Sequence, residues 1–487
     1  MTMDTAGSDV TSAALEELLE IRAGGALESG EVVIEGADPF FRVPHRVGSA
    51  TAAALAAVGV AANDLWEQRT GRRQRVGVSV AEAAASLKTV DYTMERGPSG
   101  EFEPIPRPDG QARTAALIKP WPTRDGRWFL PHFTLPHLRE KVLGVLACEA
   151  TPESVGGAIA KWDAEDLDQA IADAGACGGI VRSPAEWHRH PQGAYLSTLP
   201  VVEIERRGES AAEPLPDGDR PLSGIRVLDL TRILAGPMAG RTLAEHGADV
   251  LMVTAPDLPQ IAEHVRDTSH GKRSSFLDLK TRSGVERLTE LVRTADVVID
   301  GYRPGRVGEL GFDLQTLFDL RPGLVHLNIT CYGNGGPFRE RGGWDQVAQA
   351  VSGMCHENGR LSGAGRPALS FPPTCDYDTG YLGAYGVMLA LGRRGREGGS
   401  YAVNVSLCQT ALYVQRRGVV DGFADAPNVL SSAGADRRYV IEPDTSYGTL
   451  KTLGPVLDMS ETAPHWSRPT PRLGGDEPKW MPREERR

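Results

Sequence analysis

The sequence predicts an α/β fold built on a parallel sheet with helical crossovers, with part of that fold repeated earlier in the chain. Three observations predict it. The chain has 487 residues, too many for one ordinary core. After ESAAEPLPDGDRPLSG at 209–224, short apolar runs alternate with amphipathic ones, the pattern of strands joined by helices. Sliding the chain by 327 positions lays VGVSVAEAA (76–84) on VNVSLCQTA (403–411). The same shift lays Leu55, Ala57, Gly59 and Val60 on Leu382, Ala384, Gly386 and Val387 without a gap. A helix–loop–strand–helix unit therefore occurs twice.

The elements follow in order. AALEELLEIRA is a short amphipathic helix, residues 49–66 are helical, and QRVGVSVAEAAASL (74–87) is a strand running into a helix. RPDGQART near 107–114 is a loop, GRWFLPHF a strand, and LPHLREKVLGVLAC a helix. TPESVGGAIAKWDAEDLDQAIADAG reads as a helix capped by Thr151. The Pro- and Gly-rich 209–224 stretch is the main linker. Beyond it, IRVLDL (225–230), ADVLMVT (248–254), DVVIDG and GLVHLNITCYG are strands, and ILAGPMAGRTLAEHG and GVERLTELVRTA are helices. Ligands in such sheets bind at the carboxyl ends of strands, so TRILAGP, GYRPGR and CYGNGGPF are the loops that matter.

Composition narrows the function. With 40% hydrophobic and 24% charged residues the chain is a globular protein. A net charge of −11, from 53 basic and 64 acidic residues, argues against a nucleic-acid partner. MTMDTAGSDVTSAALEELLE lacks the basic start and apolar core of a signal peptide. VGSATAAALAAVGVAA (47–62) is too short and too Ala-rich for a membrane span, so no membrane is expected. The six cysteines form no C-x-x-C pair, which speaks against a metal site or disulfides and for a reduced, cytoplasmic compartment.

Candidate chemistry centres on PPTCDYDTGYLGAYG (372–386), where Cys375, Asp376 and Asp378 precede a small-residue helix. Either Asp is a helix cap or a carboxylate nucleophile. Cys375 is disfavoured as a nucleophile, because carboxylates beside it raise its pKa. His188 and His190 read as a solvated pair, and His326 as a packed strand residue. Lys272, Arg273, Lys280 and Arg282, with Arg303 and Arg306, suggest either solvated loops or a basic wall for a phosphate.

PLSGIRVLDLTRILAGPMAGRTLAEHGADVLMV, GKRSSFLDLKTRSG, GYRPGRVGELGFD, ITCYGNGGPFRERGGWDQVAQAVSG and DYDTGYLGAYGVMLAL occur in that order. Together they resemble the class III (CaiB/BaiF-type) coenzyme A transferases. That family includes formyl-CoA and carnitine-CoA transferases and the alpha-methylacyl-CoA racemases. The resemblance implies a Rossmann-like large domain and a smaller α+β domain, here in displaced segment order. It divides the chain into an extension (1–40), a partial copy (41–210), a linker (211–223), the large domain (224–420) and a closing tail (421–487).

The resemblance also implies roles. Asp376 holds the nucleophile position, four residues before Gly380. Arg232, Ile233, Leu234, Ala235, Leu277, Leu279, Lys280, Arg306, Trp344 and Asp345 match segments that contact CoA or line the site. CoA and acyl-CoA enter as substrates with a carboxylic acid, no cofactor is permanently bound, and the subunits form a homodimer. Trp344 stands where racemases have His, Glu309 where many members have an Arg for CoA phosphate, and Leu234 where the oxalate-type enzymes have Gln. The expected activity is CoA transfer to a carboxylic acid. A non-catalytic acyl-CoA-binding homologue and a racemase or lyase are the alternatives.

Overall fold

The computed structural model of the chain describes residues 5–107, 110, 114–427 and 440–482. Most of the loop expected at 107–114, and residues 428–439 and 483–487 of the tail, lie outside them. Among the described residues no helix is long and apolar enough to cross a membrane.

The first unit comprises helix α1 (Thr5–Arg22), strand β1 (Val32–Glu35), helix α2 (Val47–Thr70), strand β2 (Val76–Ser79) and helix α3 (Val80–Ser86). α2 is apolar nearly all round, so it is buried on every side over most of its length. It ends where Gly71 turns left-handed, at φ 71°, and returns its N–H to Glu67 O.

A small domain follows. Trp121–Pro122, Trp128–Pro131 and Gly178–Ile180 form an antiparallel sheet. Helix α4 (Pro136–Leu146) and two shorter helices close over it, around Phe129, Phe133, Val142, Leu167 and Ile171. The single helix expected across 151–175 is in fact two, Pro152–Ile159 and Ala164–Asp173. Asp163 between them is extended, and Arg124 takes its carboxylate with two bonds (2.9 and 2.6 Å). The solvated His188/His190 pair is also corrected. His190 accepts the Gln192 N–H (3.1 Å) and stacks on Trp187 (5.5 Å between centroids), and only His188 is exposed.

Strand β3 (Glu203–Gly208) leads out of the small domain. The large sheet then adds β4 (Arg226–Asp229), helix α5 (Ala235–Glu245), β5 (Asp249–Thr254), β6 (Lys272–Phe276), β7 (Val297–Asp300) and β8 (Val325–Thr330). Helices α6 (Asp345–Ser352) and α7 (Thr374–Glu397), strand β9 (Ser400–Ser406) and helix α8 (Leu407–Gln415) complete it. The spatial order is β6-β5-β4-β7-β8-β9-β3, and the first six strands are parallel. This is the Rossmann order, whose direction reverses between β4 and β7.

The internal repeat is visible in space. α2 and α7 are both 24 residues long, with bounds offset by the 327 positions that also separate Thr51 and Asp378. The two helices share one core, where Leu55, Leu65, Leu382 and Met388 are all buried. Each unit's returning strand is given to the other unit. β3, after the first unit, pairs antiparallel with β9, while tail strand β10 (Asp458–Met459) pairs antiparallel with β2.

Candidate active site

A cavity of about 700 Å³ opens at the carboxyl ends of β4 and β7, the switch point of the sheet. Arg232, Ile233, Leu234 and Ala235 line it from the loop after β4, Leu277, Leu279 and Lys280 from beyond β6, and Arg306 from the loop after β7. Trp344 and Asp376 close its far side. Of the residues the family resemblance assigned to the site, Asp345 alone does not line it and lies fully buried. The small domain adds His137, Leu138 and Lys141 from α4 and Leu135 from just before it. Their pattern in the sequence is that of any amphipathic helix, so nothing there marked them.

The loop after β4 is held from below. Asp229 Oδ1 accepts the Thr231 N–H (3.0 Å) and Oγ1–H (2.5 Å), and its Oδ2 accepts a bond from Lys272 Nζ (2.8 Å). Lys272 also donates to Pro237 O (2.7 Å) at the start of α5. Ile233 is forced to φ 78°, a strained state for a β-branched residue, and its carbonyl lies 3.2 Å from His264 Nδ1.

These bonds reduce the basic wall, of which Lys280, Arg303 and Arg306 still line the cavity. Lys272 is a fully buried strut, and Arg273 is turned onto Asp249 and Lys479 O. Lys280 pairs with Asp257 (2.6 Å), Arg282 with Glu286 (2.7 Å) and Arg306 with Glu309 (2.8 Å). Cations that already have carboxylate partners form no continuous anion surface.

Asp376 sits in the first turn of α7, half-buried and facing the cavity. Its N–H donates to Asp345 Oδ2 (3.2 Å), and Gln349 Nε2 donates to Asp345 Oδ1 (2.6 Å). Burial, opposed by these bonds, pushes the Asp345 carboxyl up to about 6. Burial and then the Asp345 charge push Asp376 well above the usual carboxylate range. The two acids therefore do not ionise independently. Behind Trp344, His132 is stacked on the indole (4.3 Å between centroids) and buried, and burial holds it neutral at about 3.

The other two candidates point away from the cavity. Cys375 is fully buried with Sγ 3.9 Å from Met354 Sδ, and burial followed by Asp345, Asp376 and Asp378 raises its thiol. Asp378 is not a helix cap. It is fully buried, its Oδ1 accepts from Thr51 Oγ1 (2.8 Å), and burial raises it to about 8. Thr51 is its own counterpart in the first unit.

The first unit keeps the frame of this site without a carboxylate at the position of Asp376. Asp38 accepts the N–H groups of Gly48 (3.1 Å) and Ser49 (2.8 Å) at the start of α2. Asp345 does the same for Asp376 at the start of α7. Ser49, the counterpart of Asp376, is fully buried.

Comparison with known proteins decides the family. The model described as CoA-transferase family III matches residues 4–208 and 222–439. The chain belongs to CoA-transferase family III. The gap between the two matched stretches falls within the Pro- and Gly-rich segment at 209–224. An acyl-CoA transferase of Gibberella moniliformis is 30% identical over 400 residues, covering 71% of this chain and 70% of the relative. The succinate–glutarate CoA-transferase of Agrobacterium fabrum is 34% identical over 211 residues, covering 40% of this chain and 52% of the relative. A solved CaiB/BaiF family protein from Brucella suis is 30% identical, with 41% of this chain and 56% of that one covered and a TM-score of 0.37. Several family members are thus matched over little more than half their length.

Proposed function

We propose that the chain moves coenzyme A from an acyl-CoA to a carboxylic acid through covalent intermediates on Asp376. The observation that carries this reading is the position of the Asp376 carboxyl. It opens into the cavity from the first turn of α7, with its own backbone N–H taken by Asp345. The names of relatives support it, because they include an acyl-CoA transferase and a succinate–glutarate CoA-transferase.

In this reading a carboxylate oxygen of Asp376 attacks the acyl carbonyl carbon. The C–S bond breaks, leaving an acyl-aspartyl anhydride and CoA thiolate. The thiolate then attacks the aspartyl carbonyl, expels the donor carboxylate and forms an aspartyl-CoA thioester. The acceptor carboxylate attacks that thioester, giving a second anhydride and free thiolate. Thiolate attack on the acceptor's acyl carbon releases the new acyl-CoA and restores Asp376. No bond is hydrolysed, so the site must exclude water; Leu234, Leu135 and Trp344 give the cavity apolar walls. CoA is a substrate here and no resident cofactor is required. We place the reaction in the cytoplasm.

Turnover of acyl-CoA with a panel of acids, in wild type and Asp376→Ala, tests this. The variant should lose at least about a thousandfold in turnover. Equal turnover in both would remove Asp376 from the chemistry. A non-catalytic acyl-CoA-binding role is the second reading. The Arg306–Glu309 pair favours it, because that carboxylate occupies a cation on the side expected for phosphate. Binding by calorimetry without turnover on any acid would select it.

A further inference from the structure

The rim of the cavity on the small-domain side carries charge that the opposite side lacks. Beyond β6 and β7, Lys280 and Arg306 already have carboxylate partners. On the other side α4 presents His137 and Lys141, one helical turn apart and exposed. Arg303 and Arg232 reach the same rim from the loops after β7 and β4.

Among the described residues neither the three cations, Lys141, Arg303 and Arg232, nor the His137 imidazole is seen in an ion pair. Arg303 donates to Gly175 O (2.7 Å) and approaches Cys177 Sγ (3.3 Å). Lys141 lies 3.4 Å from the same carbonyl. Arg232 donates to Pro259 O (3.0 Å) and rests over the Tyr302 ring. Their fields overlap: after burial, Arg232, Lys141 and Arg303 hold His137 below the ordinary imidazole range, and Glu140 alone opposes them. A concave rim of one sign, with low-dielectric walls, concentrates anions.

The cavity that holds this rim and Asp376 is also lined by apolar side chains. Leu138, from the helix that carries His137 and Lys141, and Leu135 just before it pack with Cys177, Ile233 and Trp344. A ligand that places one carboxyl at Asp376 and runs an aliphatic segment along Leu135 and Leu138 brings its far end to the cations. The geometry points to an anion clamp: His137, Lys141, Arg303 and Arg232 hold the non-reacting carboxylate of a dicarboxylic acid. The clamp makes a diacid the preferred acceptor. It rests on CoA transfer at Asp376 as the site's chemistry.

The same cations suit a phosphate of CoA, so the test separates the two sources. Wild type and His137→Gln/Lys141→Gln are assayed with glutarate and valerate as acceptors, and with donors built on CoA and on dephospho-CoA. Both substituted residues are exposed, so the fold is kept. The clamp predicts that the glutarate-to-valerate ratio of kcat/KM falls about tenfold in the variant, the size of one lost charge-assisted contact. An unchanged ratio overturns the clamp. So does an effect seen only as a rise in KM for the CoA donor over its dephospho form. If neither acid is turned over by wild type, the wider acid panel still decides the CoA-transfer reading, and calorimetry with the free acids decides the clamp alone. Glutarate binding that the variant loses supports it, and equal affinity for glutarate and valerate refutes it.

Discussion

Asp378 and Thr51 make one buried contact out of two equivalent places in a repeat. Among the described residues no cation pairs with the Asp378 carboxyl, and burial keeps its proton on to about pH 8. An unfolded aspartate loses that proton near pH 4. Folding is therefore penalised increasingly as pH rises between those values, because the native state holds the extra proton. Asp378→Asn keeps an acceptor for Thr51 and removes the titration. Its stability gain over wild type should be near zero at pH 4 and rise to about 5 kcal/mol by pH 8. Urea unfolding at several pH values measures it, and a gain that does not change with pH would show that Asp378 is already ionised in the fold.

Helix α7 lies against α5 through a position with no room for a methyl group. A Cβ on Gly380 would stand 2.5 Å from Met238 Cβ and 2.7 Å from Ala235 O. Ala normally favours a helix over Gly by up to about 1 kcal/mol, but here the clash with backbone decides the sign. Gly380→Ala should destabilise the protein by about 1–3 kcal/mol. Because Ala235 belongs to the loop that lines the cavity, kcat/KM should fall as well. Thermal unfolding and steady-state kinetics on one preparation check both, and a variant as stable and active as wild type would mean that α5 moves freely.

The whole molecule is two related units closed into one. Each returns a strand to the other, β3 to β9 and β10 to β2, so neither sheet is complete without both. The first unit supports the second through α2, Thr51 and the shared core. Its own helix start keeps the Asp38 latch but has Ser49, fully buried, where the second unit has Asp376. The proposed reaction therefore has one candidate nucleophile per chain, Asp376. Intact-mass measurement after brief exposure to acyl-CoA should find a single adduct per chain, mapped to Asp376. A second adduct within residues 1–210 would mean that the first unit also reacts.

The sequence by itself determined the parallel sheet, the repeat and the position of Asp376. Periodicity, glycine placement and an ungapped offset are local properties that survive without coordinates. α2 and α7 accordingly begin and end at corresponding residues. It also brought out the segments that line the cavity, because short conformationally demanding loops such as Arg232–Ala235 carry their constraints in consecutive residues. The partner of each charge was decided only by tertiary structure. Lys272 and Arg306 look alike in sequence, yet one is a buried strut under Asp229 and the other an exposed partner of Glu309. The sequence leaves the role of Asp378 open, and its partner Thr51 comes from 327 residues away. His137 and Lys141 became part of the cavity rim only when the small domain folded onto the large one. Coulomb and hydrogen-bond energies depend on distance and solvent exposure, and for residues far apart in the chain both are set by the packing of elements.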